Sequence, residues 1–244
     1  MKNLYDDVFL YDSVHGGFAD AETFDFYDRQ ISLYGAPVLE LACGSGHVLI
    51  RLAEKGIEIF GLDISAKMLG ACQRKAGERN VKVKIQAGDM RQFELGRKFK
   101  VIFIAGNSFQ HLIENADVSA CLDCVKRHLA PGGKFIVEVL NPYIPLLMRE
   151  RGRKFMVGAF GNYVLTEDVR YRAATQVNHI RWHFWHRPTD EITTLSFALR
   201  QFFPQELNAL FEFKGFCIEE KFGDFNQSAF SDDSPKQIIV AGLI

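Results

Sequence analysis

The stretch Val38-Leu39-Glu40-Leu41-Ala42-Cys43-Gly44-Ser45-Gly46-His47 decides how this chain is read. Pro37 introduces a short apolar strand, Val38 to Leu41. A glycine turn, Gly44-Ser45-Gly46, follows it. The segment 47–54 then reads as a helix that Lys55-Gly56 stops. Glycines at 44 and 46 permit positive φ and let a ligand come close to the backbone. Glu40 puts a carboxylate near the strand end, beside that turn.

Working outward, strands are expected at 57–62, 81–86, 99–105 and 134–140. Helices are expected at 65–77, capped by Ser65, and at 116–129. Alternation of strand and helix from 38 to 140 predicts parallel strands with helices on both faces, a doubly wound α/β sheet. Ligands of such sheets bind at the carboxyl ends of the strands, by the switch point. Upstream, 20–34 reads as a helix with Phe24, Tyr27, Ile31 and Tyr34 on one stripe. Downstream the pattern changes. Segments 163–172, 175–186 and 191–203 are rich in β-formers, with Arg187-Pro188-Thr189-Asp190 as turn material, and predict a small antiparallel insertion. Pro204 then opens a helix over 205–213, and strands at 216–222 and 237–243 close the sheet. No linker is long enough to divide the chain. The expected organisation is one domain over 1–244. It has lid helices in 1–35, a core from 36–141 and 204–244, and the insertion 142–203 over the active site.

Composition narrows the function. The 244 residues are 48% hydrophobic and 24% charged, which suits a globule with a full core. Lys plus Arg number 29 and Asp plus Glu 30, a formal charge of −1, so no global basic excess favours nucleic acid. The local run Arg149-Glu150-Arg151-Gly152-Arg153-Lys154 keeps a nucleic-acid or protein substrate as an alternative. No apolar run approaches the roughly 18–20 residues of a membrane helix. The N-terminus lacks the layout of a signal peptide. Five cysteines, an odd count, point to a reducing compartment, and the expected location is the cytoplasm. Cys121-Leu122-Asp123-Cys124 lies in a helical pattern without a second pair and reads as buried thiols. The 22 phenylalanines imply a well-filled core or an apolar pocket.

Two ligand classes compete for the glycine turn. A dinucleotide needs G-x-G-x-x-G/A, and here the third position is Leu49. Glu40 would also repel a diphosphate. S-adenosylmethionine has no phosphate and carries a sulfonium and an ammonium, so a nearby carboxylate suits it. Asp63, at the end of the second strand, can accept from both ribose hydroxyls, or serve only as an acid at a helix start. Its pairing with the glycine turn favours the ribose reading, because two parts of one fingerprint coincide. Asp89 in Gly88-Asp89-Met90 can receive the adenine amine with Met90 against the ring, or be a plain turn residue. The stretch from Ala105 through Asn107 to His111 follows a buried strand and should face the crevice.

These segments resemble the class I S-adenosylmethionine-dependent methyltransferases. The resemblance rests on Glu40 to Gly46, Gly61-Leu62-Asp63-Ile64-Ser65 with Met68-Leu69, Gly88-Asp89-Met90, and Leu129-Ala130-Pro131-Gly132-Gly133, all in family order. Ala42 departs from the family, which usually has glycine there; tighter packing is expected, not loss of cofactor. The N-terminal Tyr5…Tyr11-Asp12 and the tail segments resemble the small-molecule branch. The resemblance implies a Rossmann-like, seven-stranded sheet whose last strand is antiparallel, with a β insertion after the fifth strand. It implies S-adenosyl-L-methionine as cofactor, held by Glu40, Ala42, Gly44 and Gly46 at the turn and by Asp63, Ile64 and Met68 beyond the second strand. Asp89, Met90, Ala105 and Asn107 complete that site, and Tyr11 reaches the methionine end. It further implies a small-molecule methyl acceptor.

Methyl transfer is an in-line displacement at an activated carbon, so the protein mainly supplies proximity and alignment. A base is optional. Candidates are His111, Tyr11, His15 and the insertion histidines His179, His183 and His186, with His111 and Tyr11 preferred. By period-two alternation Val177, His179, Arg181, His183 and Trp185 share one face of the insertion strand, and Asn178, Ile180, Trp182, Phe184 and His186 the other. One face should cover the crevice and the other meet solvent or a second subunit, so a homodimer through the insertion is possible. His179, Arg181 and His183 can bind an acidic or polar substrate, or be a solvated face. No Cys or acid cluster accompanies His179 and His183, so no metal site is expected. Asn141-Pro142-Tyr143 reads as the exit from the fifth strand.

Overall fold

The computed structural model describes residues 2–16, 20–147 and 154–244. Most of the basic run, residues 149–153, lies outside them.

In chain order the elements are β1 (Lys2–Asn3), α1 (Val8–His15), α2 (Ala21–Tyr34), β2 (Val38–Leu41), α3 (Leu49–Glu54), β3 (Ile59–Asp63), α4 (Ala66–Glu78), β4 (Lys84–Ala87), β5 (Phe99–Ile104), α5 (Asn115–His128) and β6 (Leu129–Leu140). After α6 (Ile144–Leu147) come β7 (Phe155–Phe160), β8 (Tyr163–Arg172), β9 (Val177–His186) and β10 (Glu191–Arg200). Then α7 (Pro204–Phe213), β11 (Phe216–Phe222) and β12 (Lys236–Leu243) complete the chain. Local chemistry sets the boundaries. Asp20 caps α2 by accepting from the Thr23 amide, Ser65 caps α4 by accepting from Met68, and Pro204 occupies the first turn of α7.

Seven strands form the central sheet in the order β11-β12-β6-β5-β2-β3-β4. The pairs β2–β3, β3–β4, β2–β5 and β5–β6 are parallel, whereas β12 runs antiparallel to both β6 and β11. The doubly wound, seven-stranded expectation with an antiparallel last strand therefore holds. The chain moves outward from β2 through β3 to β4, then returns to β5 on the other side of β2. The switch point thus lies between the ends of β2 and β5.

Alternation along the central strands feeds two cores. Leu39, Leu41, Ile102, Ile104, Phe135 and Val137 face the layer of α5 and α7. Val38, Val101, Phe103, Ile136 and Val240 face the layer of α2, α3 and α4. Burial of both faces is what parallel strands require. The phenylalanines serve the core more than the pocket: nine of the 22 are almost wholly buried, including the stacked side chains of α7 and β6, Phe211 and Phe135. Cys121 and Cys124 are buried in the same layer.

A second sheet, ordered β1-β10-β9-β8-β7, is larger than the three strands expected. The fourth insertion strand, β7, escaped notice because its pairing is interrupted at Gly158 and it has no clean alternation. The fifth member is β1, whose two residues pair in parallel with Leu195 and Ser196 of β10; two polar residues carry no strand signal by themselves. The insertion is clamped where it leaves and rejoins the core. Gln110, fully buried, accepts from the Leu140 amide (3.0 Å) and donates to the Arg200 carbonyl (2.7 Å). Asn141 donates to the Ser234 carbonyl, as befits a strand exit.

Candidate active site

The turn after β2 carries three residues in the left-handed region: Ala42 (φ 55°), Gly44 (φ 54°) and Gly46 (φ 86°). The two glycines do different work. A Cβ on Gly46 would lie 2.6 Å from the Cys72 sulfur and 2.8 Å from Ile50, so glycine there lets the turn pack on α4. A Cβ on Gly44 would meet nothing, and its amide donates to Asp63 Oδ2 (2.8 Å). Ala42 holds a conformation that glycine takes more easily. Leu49 is fully buried, and a Cβ on Gly61 would lie 2.4 Å from its side chain; the leucine fills the place where a dinucleotide fold needs a third small residue.

Three adjoining cavities of about 210, 380 and 570 Å³, each lined by Ala42, form one crevice at the strand ends. The smallest is bounded by Asp63, Ile64, Asp89, Met90 and His111. The middle one adds Tyr5, Tyr11, Gly44 and Ser65. The largest is bounded by Tyr11, His15, Glu40, Gly44, Ala105, Asn107, Glu138 and Lys236. The crevice thus brings together Tyr11, Glu40, Ala42, Gly44, Asp63, Ile64, Asp89, Met90, Ala105, Asn107 and His111. Gly46 and Met68 line none of these cavities; Gly46 supports the turn, and Met68 is buried in the first turn of α4.

Each acid has its own electrostatic setting. Asp63 is nearly buried, and burial holds its carboxyl above the usual range, opposed by the Ser65 (2.7 Å) and Gly44 amides on its two oxygens. Glu40 is buried more deeply. Burial first, then the charge of Asp63, push its carboxyl up, and the Leu49 amide opposes them. Its Oε2 makes no hydrogen bond. Asp89 lies below the usual range because Arg91 grips it through its guanidinium and backbone amide. Arg91 also bridges to Asp117 (2.8 Å).

The N-terminal segment is tied down by contacts that the sequence does not show. Asp12 accepts from Ser45 Oγ (2.7 Å), His47 Nε2 (2.9 Å) and Lys75 Nζ (3.2 Å), joining α1 to the glycine turn and α4. Tyr11 stacks against both His15 (4.3 Å) and His47 (5.5 Å), which lie 6.0 Å from each other. The Tyr5 hydroxyl hydrogen-bonds His111 Nε2, and the ring of His111 also bonds the backbone of Ala198. Burial lowers the pKa of His111, so its imidazole is neutral at physiological pH. Asp12 and Tyr5 entered the reading only through the family resemblance, and their partners, remote in sequence, were not assigned. Glu138 did leave a signal, an acid inside the apolar run Ile136-Val137-Glu138-Val139.

The insertion turns its apolar face to the N-terminal segment. Phe184, with Leu165 and Leu195, packs on Leu4 and Leu10, and Trp182 reaches within 6.0 Å of His15. His179, Arg181 and His183 lie on the opposite face and line no part of the crevice. There His183 and Arg181 both bond Asp168 (2.7 and 2.8 Å). His186 bonds Thr189 (2.8 Å), away from the crevice.

Together these residues fit S-adenosyl-L-methionine. A buried acid with an unpaired oxygen would suit an ammonium, an amide-oriented carboxylate would suit a ribose, and the side chains of Met90 and Ile64 (70% exposed) would offer apolar surface to a base. A doubly wound sheet with such a crevice at its switch point defines a Rossmann-like cofactor-binding protein. Residues 38–133 match the family model described as a methyltransferase domain. Over 134 residues the chain is 35% identical to the dTDP-3-amino-3,6-dideoxy-alpha-D-glucopyranose N,N-dimethyltransferase of Streptomyces fradiae, a match that covers 53% of this chain and 51% of that protein. The chain spans about half the length of the curated relatives it matches. Among solved structures, the CcbJ methyltransferase from Streptomyces caelestis gives a TM-score of 0.81 at 25% identity, covering 95% of this chain and 89% of that one. An amino pentose methyltransferase from Micromonospora echinaspora, solved with SAM bound, gives 0.71 at 22% identity over 100% of both chains. Residues 38–133 are thus similar to a methyltransferase domain, and the fold is one that solved methyltransferases share.

Proposed function

We propose that this protein is an S-adenosyl-L-methionine-dependent methyltransferase acting on a small-molecule acceptor. The observation that carries the reading is the pairing, at one glycine turn, of the unpaired Glu40 oxygen with the amide-oriented Asp63 carboxylate. The bound cofactor supplies a methyl group already activated on a positive sulfur. Glu40 meets its ammonium, Asp63 takes the ribose hydroxyls, and Asp89 with Met90 and Ile64 receives the adenine. Tyr11, held by its stacking partners, faces the methionine end. The N-terminal segment, backed by the insertion's apolar face, covers the crevice and helps to align the acceptor with the methyl group. The names of the relatives favour an amino sugar as acceptor.

Incubation with the cofactor and a panel of amines, hydroxyls and thiols tests the reading. A product heavier by one methylene supports it; no product from any member, together with no cofactor binding, overturns it. We also infer a homodimer through the insertion. Its support is an exposed apolar row on the outer face, with Trp185 and its cross-strand neighbour Ile192 40% and 60% exposed and Met156 75% exposed. Sedimentation should give a dimeric wild type and a monomeric Trp185→Glu; a monomeric wild type removes the dimer.

A further inference from the structure

The largest cavity holds two buried carboxylates, Glu40 and Glu138, each with one oxygen that makes no hydrogen bond. The proposed function uses Glu40 for the ammonium of the cofactor. Glu138 is left over. It is 2% exposed, on the last turnless stretch of β6. Its Oε1 accepts from the Gly106 (2.5 Å) and Asn107 (3.3 Å) amides, which fixes the carboxyl at the end of β5. Those bonds need one oxygen only, so a glutamine would hold the loop as well. The second oxygen makes no hydrogen bond. Its nearest cation, Lys236 Nζ, is 3.7 Å away and donates instead to Asn107 Oδ1 (3.3 Å). Burial holds the Glu138 carboxyl above its ordinary range, opposed by Lys236 and the two amides. The other candidate bases at the crevice have partners of their own. His15 Nδ1 bonds the Tyr11 carbonyl (2.9 Å) and its ring stacks on Tyr11. His111 is committed to Tyr5 and to the backbone of Ala198, and burial makes Tyr5 and Tyr11 harder to ionise.

We infer that Glu138 is the group that receives the acceptor's proton, and that the acceptor therefore enters as an ammonium ion. The inference rests on the methyltransferase reading and adds a residue and a substrate charge to it. An acceptor R–NH₃⁺ gives one proton to Glu138 Oε2 and becomes R–NH₂. Its nitrogen lone pair forms the new N–C bond while the methyl–sulfur bond breaks and its electron pair stays on sulfur. The products are R–NH₂CH₃⁺ and the neutral thioether, and Glu138 returns its proton to water.

The test compares the full chain with Glu138→Gln and Glu138→Asp, using an amino sugar (3-amino-3-deoxyglucose), simple primary amines, phenols and thiols as probes. Glutamine keeps the acceptor for both amides, so cofactor affinity by calorimetry should not change. Turnover of the amines should fall by about 10²-fold near neutral pH. It should recover as the pH rises and the free amine predominates, and Glu138→Asp should retain part of the wild-type rate. A merely structural residue would not give that recovery with pH. An unchanged rate and pH profile in Glu138→Gln overturns the inference. So does transfer confined to hydroxyls and thiols, or a wild type that binds cofactor yet methylates no amine; these outcomes leave the methyltransferase reading standing. Failure of the wild type to bind the cofactor sinks that reading itself.

Discussion

Gln110 offers a test of how the insertion is fastened to the core. Its amide bridges the backbone where the insertion departs, at Leu140, and where it returns, at Arg200, and the side chain is fully buried. Gln110→Leu keeps the approximate size and removes both bonds. A buried backbone group left without its partner costs about 1–3 kcal/mol, so two such groups make a loss of about 2–4 kcal/mol reasonable. At about 2–4 °C per kcal/mol for a chain of this length, the melting temperature should fall by roughly 5–15 °C. Thermal denaturation measures the size of the effect, and hydrogen exchange measures its place. Faster exchange should concentrate at Leu140, in β10 and in the neighbouring turn that carries His111. An unchanged melting temperature, or faster exchange spread evenly through β2 and β3, refutes the clamp.

Three further outcomes are expected. Asp12→Ala should destabilise the chain by up to about 3 kcal/mol in urea, because it strips Lys75, Ser45 and His47 of a shared carboxylate, and should expose α1 to proteolysis first. Ala42→Gly exchanges a left-handed alanine, strained by about 1–2 kcal/mol, for the larger chain entropy of glycine, about 0.5–1 kcal/mol. A net gain of about 0.5–1 kcal/mol should follow in urea denaturation, whereas a loss would mean that the methyl group packs usefully. Burial lowers the pKa of His111 and of His15 in the folded state, so below the unfolded value of about 6.5 the unfolded chain binds more protons. Stability is therefore complete above that pH and declines as the pH falls toward the folded values. His111→Asn should show a shallower fall in melting temperature between pH 7 and 5 than the wild type, and equal slopes would contradict the assignment.

The central strands were legible because their burial on both faces forces continuous apolar runs, and because Gly44, Gly46 and Pro204 mark where the chain must turn. The insertion was legible in β8, β9 and β10, whose ten-residue runs alternate, but not in β7 or β1, whose pairing depends on neighbours. At the crevice, the turn, Asp63 and Asp89 could be read from their place after successive strands. Asp12 and Tyr5 could not, since the first binds Ser45, His47 and Lys75, the second binds His111, and only the folded chain brings them together. Alternation separated the two faces of β9 correctly but could not say which one is covered. The face of Phe184 is, because it packs on Leu4 and Leu10 of the N-terminal segment.

Isothermal titration with S-adenosylhomocysteine and with a nicotinamide dinucleotide, on wild type and on Asp63→Ala, bears most directly on the crevice. One molecule of the thioether should bind per chain and the dinucleotide should not. Asp63→Ala should remain folded and lose about 1.5–3 kcal/mol of affinity, the worth of hydrogen bonds to a charged group. Binding of the dinucleotide in place of the thioether, or undiminished affinity in the folded Asp63→Ala protein, would contradict the account.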